Sequence, residues 1–195
     1  MIYIFSIIIS YLLGSIPMGL LLTKLAGKGD LRNVGSGNIG ATNVMRVGGL
    51  RLAGLVWILD MAKAIAAVFI GKYIAGDAFG AWCGFVAIVG HCYPVWLKFK
   101  GGKGISSLFG VLLAISPMSF AVCGIEWLLI ALTSGVSSLG ATIVFCLIPV
   151  MGFAISLNVG FAFLAIGLLC LWRHRGNIAR LFAGSESKIE WKWKK

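Results

Sequence analysis

Apolar runs of bilayer length follow one another through almost the whole 195-residue chain. Residues 2–23, 52–70, 78–97, 139–157 and 159–172 form five of them. A sixth stretch, residues 105–132, holds 28 positions with a single charge, Glu126. At 1.5 Å per residue, about 20 apolar residues cross a hydrocarbon core of about 30 Å, so these runs read as transmembrane helices. Hydrophobic residues make up 59% of the chain and charged ones 12%, about half the usual share for a soluble domain. The expected fold is an all-α integral membrane protein, with residues 1–195 as one polytopic domain. The first run has no basic residues ahead of it and no small-residue cleavage site, so it reads as a retained span. Gly14, Pro17 and Gly19 interrupt it, which membrane helices tolerate where neighbours pack closely.

Charge gives the orientation. The net charge is +11, an excess that would suggest nucleic acid in a soluble protein; here it reads as topological, with no nucleic-acid partner. Five of the 17 basic residues lie in residues 24–51, three in 98–104 and seven in 173–195. Only Lys63 and Lys72 lie elsewhere. Basic loops stay cytoplasmic, so all three segments belong on one side, with an even number of spans between successive segments. Residues 105–132 must then contribute two short helices, broken near Ser116 and Pro117, where proline ends one helix or starts the next. The count becomes seven spans, amino terminus outside and carboxyl terminus cytoplasmic, two helices short. Loops 24–51, 98–104 and 133–138 and the tail 173–195 would face the cytoplasm.

Three polar segments carry the chemistry. The first, NVGSGNIGATNVMR (residues 33–46), concentrates glycine, hydroxyl and amide side chains. Glycine lets backbone N–H groups crowd an anion, a helix starting near Thr42 would add a favourable dipole, and Arg46 can pair with phosphate. A polar connecting loop is the plainer alternative. The second, GHCYPVWLKFKGGKG (residues 90–104), lacks the Walker spacing of a nucleotide loop but sets backbone donors beside Lys100 and Lys103. Its plainer reading is a basic flank that ends a span. His91 at its start could be a base or could simply bond a carbonyl. The third, RHRGNIAR (residues 173–180), sets His174 and Asn177 three apart, on one face of a helix. It could also be an ordinary basic cap.

Asp60 and Lys63, three apart inside the second run, read as a structural ion pair, because unpaired intramembrane charges are costly. Glu126 has no assigned role. Cys83, Cys92, Cys123, Cys146 and Cys170 have no metal-ligand spacing and read as small buried residues. No metal site or cofactor is implied.

In this order, LRNVGSGNIGATN (residues 31–43), GHCYPVWLKFKGGKG (residues 90–104) and RHRGNIARL (residues 173–181) resemble the bacterial acyl-phosphate:glycerol-3-phosphate acyltransferases of the PlsY type. The similarity extends over nearly the whole chain, through LDMAK (residues 59–63) and the Ser116–Pro117 pair. It implies a seven-span enzyme of the bacterial inner membrane with its active site facing the cytoplasm. Such an enzyme transfers a fatty acyl group from acyl phosphate to the sn-1 hydroxyl of glycerol 3-phosphate, giving lysophosphatidic acid and phosphate, the first acylation of phospholipid synthesis. By position, the resemblance implies that Ser36, Arg46, Lys103, His174 and Asn177 hold glycerol 3-phosphate and its reacting hydroxyl. Gly37, Asn38, Gly40, Thr42 and Asn43, with Gly101, Gly102 and Gly104, would cradle the donor's phosphate. In loop 133–138 the family often has two serines three apart; here TSGVSS keeps only Ser138, with Ala141 at the second position. The implied partners are the two substrates, membrane lipid and the enzyme that makes acyl phosphate, with the chain itself a monomer.

Acyl phosphate is an activated mixed anhydride, so no covalent enzyme intermediate is required. The donor's departing phosphate can take the alcohol's proton, with Ser36 and His174 orienting the hydroxyl; His174 as the base is the alternative. An anion transporter is a rival reading, but transporters place charged sites near the bilayer midplane, whereas these motifs flank the spans. A lipid-binding scaffold would account for the basic loops but not for the Ser-Gly-Asn loop.

Overall fold

The computed structural model describes residues 1–189; residues 190–195, with the last three lysines of the basic tail, lie outside the described residues. The described chain is helical throughout its apolar runs, and five of its helical stretches are long and apolar enough to cross a membrane. It divides into two compact units, Met1–Ile115 and Ser116–Lys195.

In the first unit, α1 (Ile2–Ser15) and α2 (Met18–Leu25) form one apolar stretch broken at Ile16 and Pro17, where proline cannot continue the hydrogen-bond ladder. Residues 26–40 form a loop with one 3-10 turn, Leu31–Asn33. The long α3 (Ala41–Cys92) is interrupted at Gly49 (φ 79°) and again at Ala75 and Gly76 (φ 74°). Both glycines hold the left-handed region that other residues avoid. The second interruption lies within the short connection expected between the second and third runs. The first shows that part of the expected loop 24–51 is helical. After the 3-10 turn Val95–Leu97, α4 (Ile105–Ile115) closes the unit.

Helices α1 and α3 meet along glycines. A Cβ on Gly14 would lie 2.0 Å from the Ala87 carbonyl oxygen, and one on Gly90 would lie 2.3 Å from that of Tyr11. Small residues of this kind let backbones touch where lipid provides no hydrophobic drive between helices. Beneath the loop, Leu31, Val44, Ala53 and Val56 form a buried cluster lined by Leu20, Leu22 and Leu52.

The second unit comprises α5 (Pro117–Ser134), α6 (Ser137–Ile155) and α7 (Leu157–Phe182). Residues 105–132 do break at Ser116: its hydroxyl caps α5 by accepting from the Ser119 N–H, and Pro117 occupies the first turn, where its missing N–H costs nothing. At about 1.5 Å per residue, α4 is about 16 Å long, half of a hydrocarbon core. Helix α7 runs ten residues past the expected end at Trp172, because the RHRGNIAR segment has no breaker stronger than Gly176. The helix closes at Ala183, followed by Gly184 in the left-handed region. Four cysteines are buried as expected, but Cys146 is exposed on α6. Glu126 on α5 has both carboxylate oxygens buried and without a hydrogen-bond partner among the described residues.

Candidate active site

In the first unit the glycine-rich loop is organised by one side chain. Asn43, 1% exposed on the first turn of α3, accepts the Ser36 N–H at 3.0 Å through Oδ1. Its Nδ2 donates to the Leu31 and Val34 carbonyls at 3.1 and 2.9 Å. Gly35 and Gly37 have positive φ, and a Cβ on Gly35 would lie 2.2 Å from Asn43 Oδ1. The oxygen and both amide hydrogens of Asn43 are therefore spent on the loop. Expected as a contact to the donor's phosphate, Asn43 instead sets the loop's shape.

That shape leaves Ser36 and Arg46 exposed beside the start of α3. The helix begins at Ala41, one residue from the expected position, and Gly40 ahead of it supplies no side-chain cap. The N–H groups of Ala41 and Thr42 thus lie at the positive end of a helix, suited to an anion. Asn38 and Gly40 pack together: a Cβ on Gly40 would lie 3.1 Å from Asn38 Nδ2. Nearer the loop's entrance, Asp30 pairs with Arg32, and those hydrogen bonds pull its carboxyl pKa down to about 2.

The second segment folds back on the end of α3. Gly101 N–H donates to the Cys92 carbonyl at 3.1 Å, Gly102 N–H to that of His91 at 3.0 Å, and the Tyr11 hydroxyl to that of Tyr93 at 2.8 Å. The last carbonyls of the helix, which have no partner within it, are satisfied in this way. Lys98 and Phe99 both adopt left-handed backbone to make the reversal. The N–H groups of Gly101 and Gly102, expected as anion donors, are thus committed to the helix end. These two positions require glycine because a Cβ would strike the His91 oxygen at 2.2 Å or the His91 ring at 2.0 Å. Lys103, partly exposed, and Gly104 (φ 92°) then lead straight into the positive end of α4.

Asp60 and Lys63 form the expected buried ion pair, 2.7 Å apart, and the His91 ring joins it. The sequence did not reveal that third member, because His91 is 28 residues from Lys63.

In the second unit His174 and Asn177 share the buried face of α7. His174 Nδ1 lies 2.9 Å from the Cys170 carbonyl oxygen. A carbonyl only accepts, so Nδ1 carries a proton and, in the neutral ring, Nε2 is the lone-pair nitrogen. Phe145 packs against the imidazole at 4.9 Å between centroids and fixes its plane.

Glu186, not identified from sequence, returns from beyond the end of α7. One oxygen accepts from Asn177 Nδ2 at 2.6 Å and from the Ser138 hydroxyl at 2.8 Å; the other accepts from Arg180 Nε at 2.7 Å. Burial works against its ionisation, but the hydrogen bonds from Asn177, Ser138 and Arg180 outweigh burial and lower its pKa. The Ile189 N–H also donates to the Gly135 carbonyl at 2.7 Å, so the tail straps loop 133–138. Ser138, the one serine of the pair kept in loop 133–138, donates its hydroxyl hydrogen bond to Glu186. The signal in the sequence was slight: Glu186 is one of six acidic residues and lies six positions after Arg180.

The sequence profile described as glycerol-3-phosphate acyltransferase matches residues 4–184. A glycerol-3-phosphate acyltransferase of Rhizobium etli is 46% identical over 183 residues, covering 93% of this chain and 89% of the relative. One from Allorhizobium ampelinum is 47% identical over 189 residues, covering 94% and 90%. Among solved structures, the chain is similar to PlsY, described as an integral membrane glycerol 3-phosphate acyltransferase, in its glycerol 3-phosphate form. That likeness has a TM-score of 0.91 and 38% identity and covers 96% of each chain. The lysophosphatidic acid form matches with a TM-score of 0.89 and 36% identity, covering 96% and 95%.

Proposed function

Because this chain belongs to the glycerol-3-phosphate acyltransferase family and is an integral membrane acyltransferase, we propose that its donor is acyl phosphate and its acceptor the sn-1 hydroxyl of glycerol 3-phosphate. The hydroxyl oxygen attacks the acyl carbonyl carbon, the bond from that carbon to the phosphate oxygen breaks, and the products are lysophosphatidic acid and inorganic phosphate. Glycerol 3-phosphate and lysophosphatidic acid are the ligands of the two solved PlsY forms, which supports this acceptor and product.

Ser36, Arg46 and Lys103 are assigned to the acceptor's phosphate and backbone, and His174 and Asn177 to its reacting end. Thr42 and the positive ends of α3 and α4 offset the negative charge of the donor. The observation that carries the reading is the fixed state of His174. Its Nδ1 proton is held by the Cys170 carbonyl and Phe145 packs against the ring, so the imidazole is set in one orientation on the buried face of α7. The departing phosphate takes the proton, which needs no protein carboxylate.

Seven spans, an external amino terminus and a cytoplasmic active site in the bacterial inner membrane complete the reading. The division of basic residues into three segments, with Lys72 and Asp77 near the Ala75 break, supports that topology. The chain would act as a monomer and receive its donor from the enzyme that makes acyl phosphate.

The test is purified protein with glycerol 3-phosphate and, in parallel, palmitoyl phosphate or palmitoyl-CoA. Lysophosphatidic acid from the phosphate donor alone is the expected result; equal turnover with the thioester overturns the donor assignment.

A further inference from the structure

Three ionisable side chains in the first unit form a closed buried cluster. Asp60 is 1% exposed, Lys63 5% and His91 5%. Lys63 Nζ lies 2.7 Å from Asp60 Oδ1, as an ion contact outside hydrogen-bond alignment. The same ammonium donates to the Ile16 carbonyl at 2.8 Å and contacts His91 Nδ1 at 3.0 Å. Ile16 lies at the break between α1 and α2, and its carbonyl also accepts the Met18 N–H at 3.1 Å.

The cluster fixes the position of the ring: His91 Nδ1 lies 3.0 Å from Lys63 Nζ and 3.5 Å from Asp60 Oδ1. Nε2 is the atom that faces Gly102: a Cβ there would lie 2.0 Å from it. The His91 carbonyl meanwhile holds the Gly102 N–H at 3.0 Å. Gly102 is thus gripped by one residue on two sides, and that residue is set by Lys63. Lys103 is the next residue along.

Buried charges inside a membrane are costly and pair with one another or with backbone carbonyls. An apolar trio would pack these helices without that cost, but it would not aim a ring at residue 102. We infer that Lys63, acting through His91, is a positioning residue that sets residues 101–103 so that Lys103 meets the phosphate of glycerol 3-phosphate. Neither Lys63 nor His91 is assigned a contact with substrate. This inference rests on the function proposed above, and specifically on Lys103 as a phosphate contact.

The experiment is steady-state kinetics of the purified full chain at saturating palmitoyl phosphate, with glycerol 3-phosphate varied. His91→Ala removes the ring and keeps the backbone grip. It should raise KM for glycerol 3-phosphate at least about tenfold and leave kcat within about threefold, the signature of lost binding rather than lost chemistry. Lys63→Gln should do the same. The double variant should be no worse than about twofold beyond His91→Ala, because effects that pass through one residue do not add. If Lys63→Gln fails to fold around the bare Asp60, the neutral pair Asp60→Asn with Lys63→Gln takes its place.

An unchanged KM in His91→Ala, a loss confined to kcat, or additive losses in the double variant each overturn the inference. Lys103→Met is the control that separates the two readings. If it raises KM and His91→Ala does not, only the positioning role fails. If neither raises KM, the assignment of Lys103 fails and the positioning role with it.

Discussion

Asn177 donates through Nδ2 to Glu186 Oε1 over 2.6 Å, so a residue assigned to the substrate is held by a carboxylate nine positions further along the chain. The same oxygen accepts from Ser138, which ties the strapped loop 133–138 to the end of α7. Replacing Glu186 by Gln removes the charge that holds both donors and Arg180. Turnover should fall at least about tenfold, as expected when the support of a positioned group is loosened.

The same carboxylate has a pH signature. Its folded pKa lies below its ordinary value of 4.5, so it stabilises the fold above that value, and the contribution is lost as pH falls through the lowered folded pKa. The thermal stability of the parent protein should therefore exceed that of Glu186→Gln at neutral pH. The gap should begin to close below pH 4.5 and vanish with further acidification. Melting curves of the two proteins across that range, in one detergent, check the sign; a gap that widens in acid refutes it.

Asn43→Ala and Asn43→Asp should be nearly equally damaging. Aspartate keeps the acceptor for Ser36 but cannot donate to the Leu31 and Val34 carbonyls. Each lost hydrogen bond is worth about 1 kcal/mol net, and more where a buried group is left unpaired. The expected outcome is a large loss of activity in a protein that still enters the membrane, together with faster proteolytic cutting within residues 26–40.

His174→Gln distinguishes the two routes for the proton. If the departing phosphate accepts it, the variant loses about 10- to 100-fold in kcat through poorer orientation and keeps a measurable rate. Complete loss of turnover with glycerol 3-phosphate binding intact would make His174 the base instead. Calorimetric binding alongside single-turnover rates provides both measurements.

Two glycines on α3 and α1 should respond oppositely to alanine. A Cβ on Gly14 would strike the Ala87 backbone at 2.0 Å, whereas one on Gly54 meets nothing within 4 Å. Gly14→Ala should lower the melting temperature by forcing α1 away from α3. Gly54→Ala should leave it unchanged or raise it, because alanine is about 1 kcal/mol better than glycine inside a helix.

Much of the local structure could be read in the order of residues. The three polar segments were visible because glycine, amide and basic residues stood out against apolar runs. Ser116 and Pro117 marked a helix start because a hydroxyl cap and a proline act locally. Asp60 and Lys63 could be paired by their spacing on one helix. Glu186, the turn of Asn43 toward the loop and the place of His91 beside Lys63 could not be seen, because none of these follows from spacing along one helix.

By itself the sequence determined that the chain lives in a membrane, where its apolar runs lie and which segments concentrate glycine, amide and basic residues, because hydropathy and helix starts depend on neighbours along the chain. Only the tertiary structure decided which polar groups are consumed internally. The amide of Asn43 and the N–H groups of Gly101 and Gly102 looked available in the sequence. Folding committed them to carbonyls that would otherwise be buried without partners, a cost that exists only once the chain is packed.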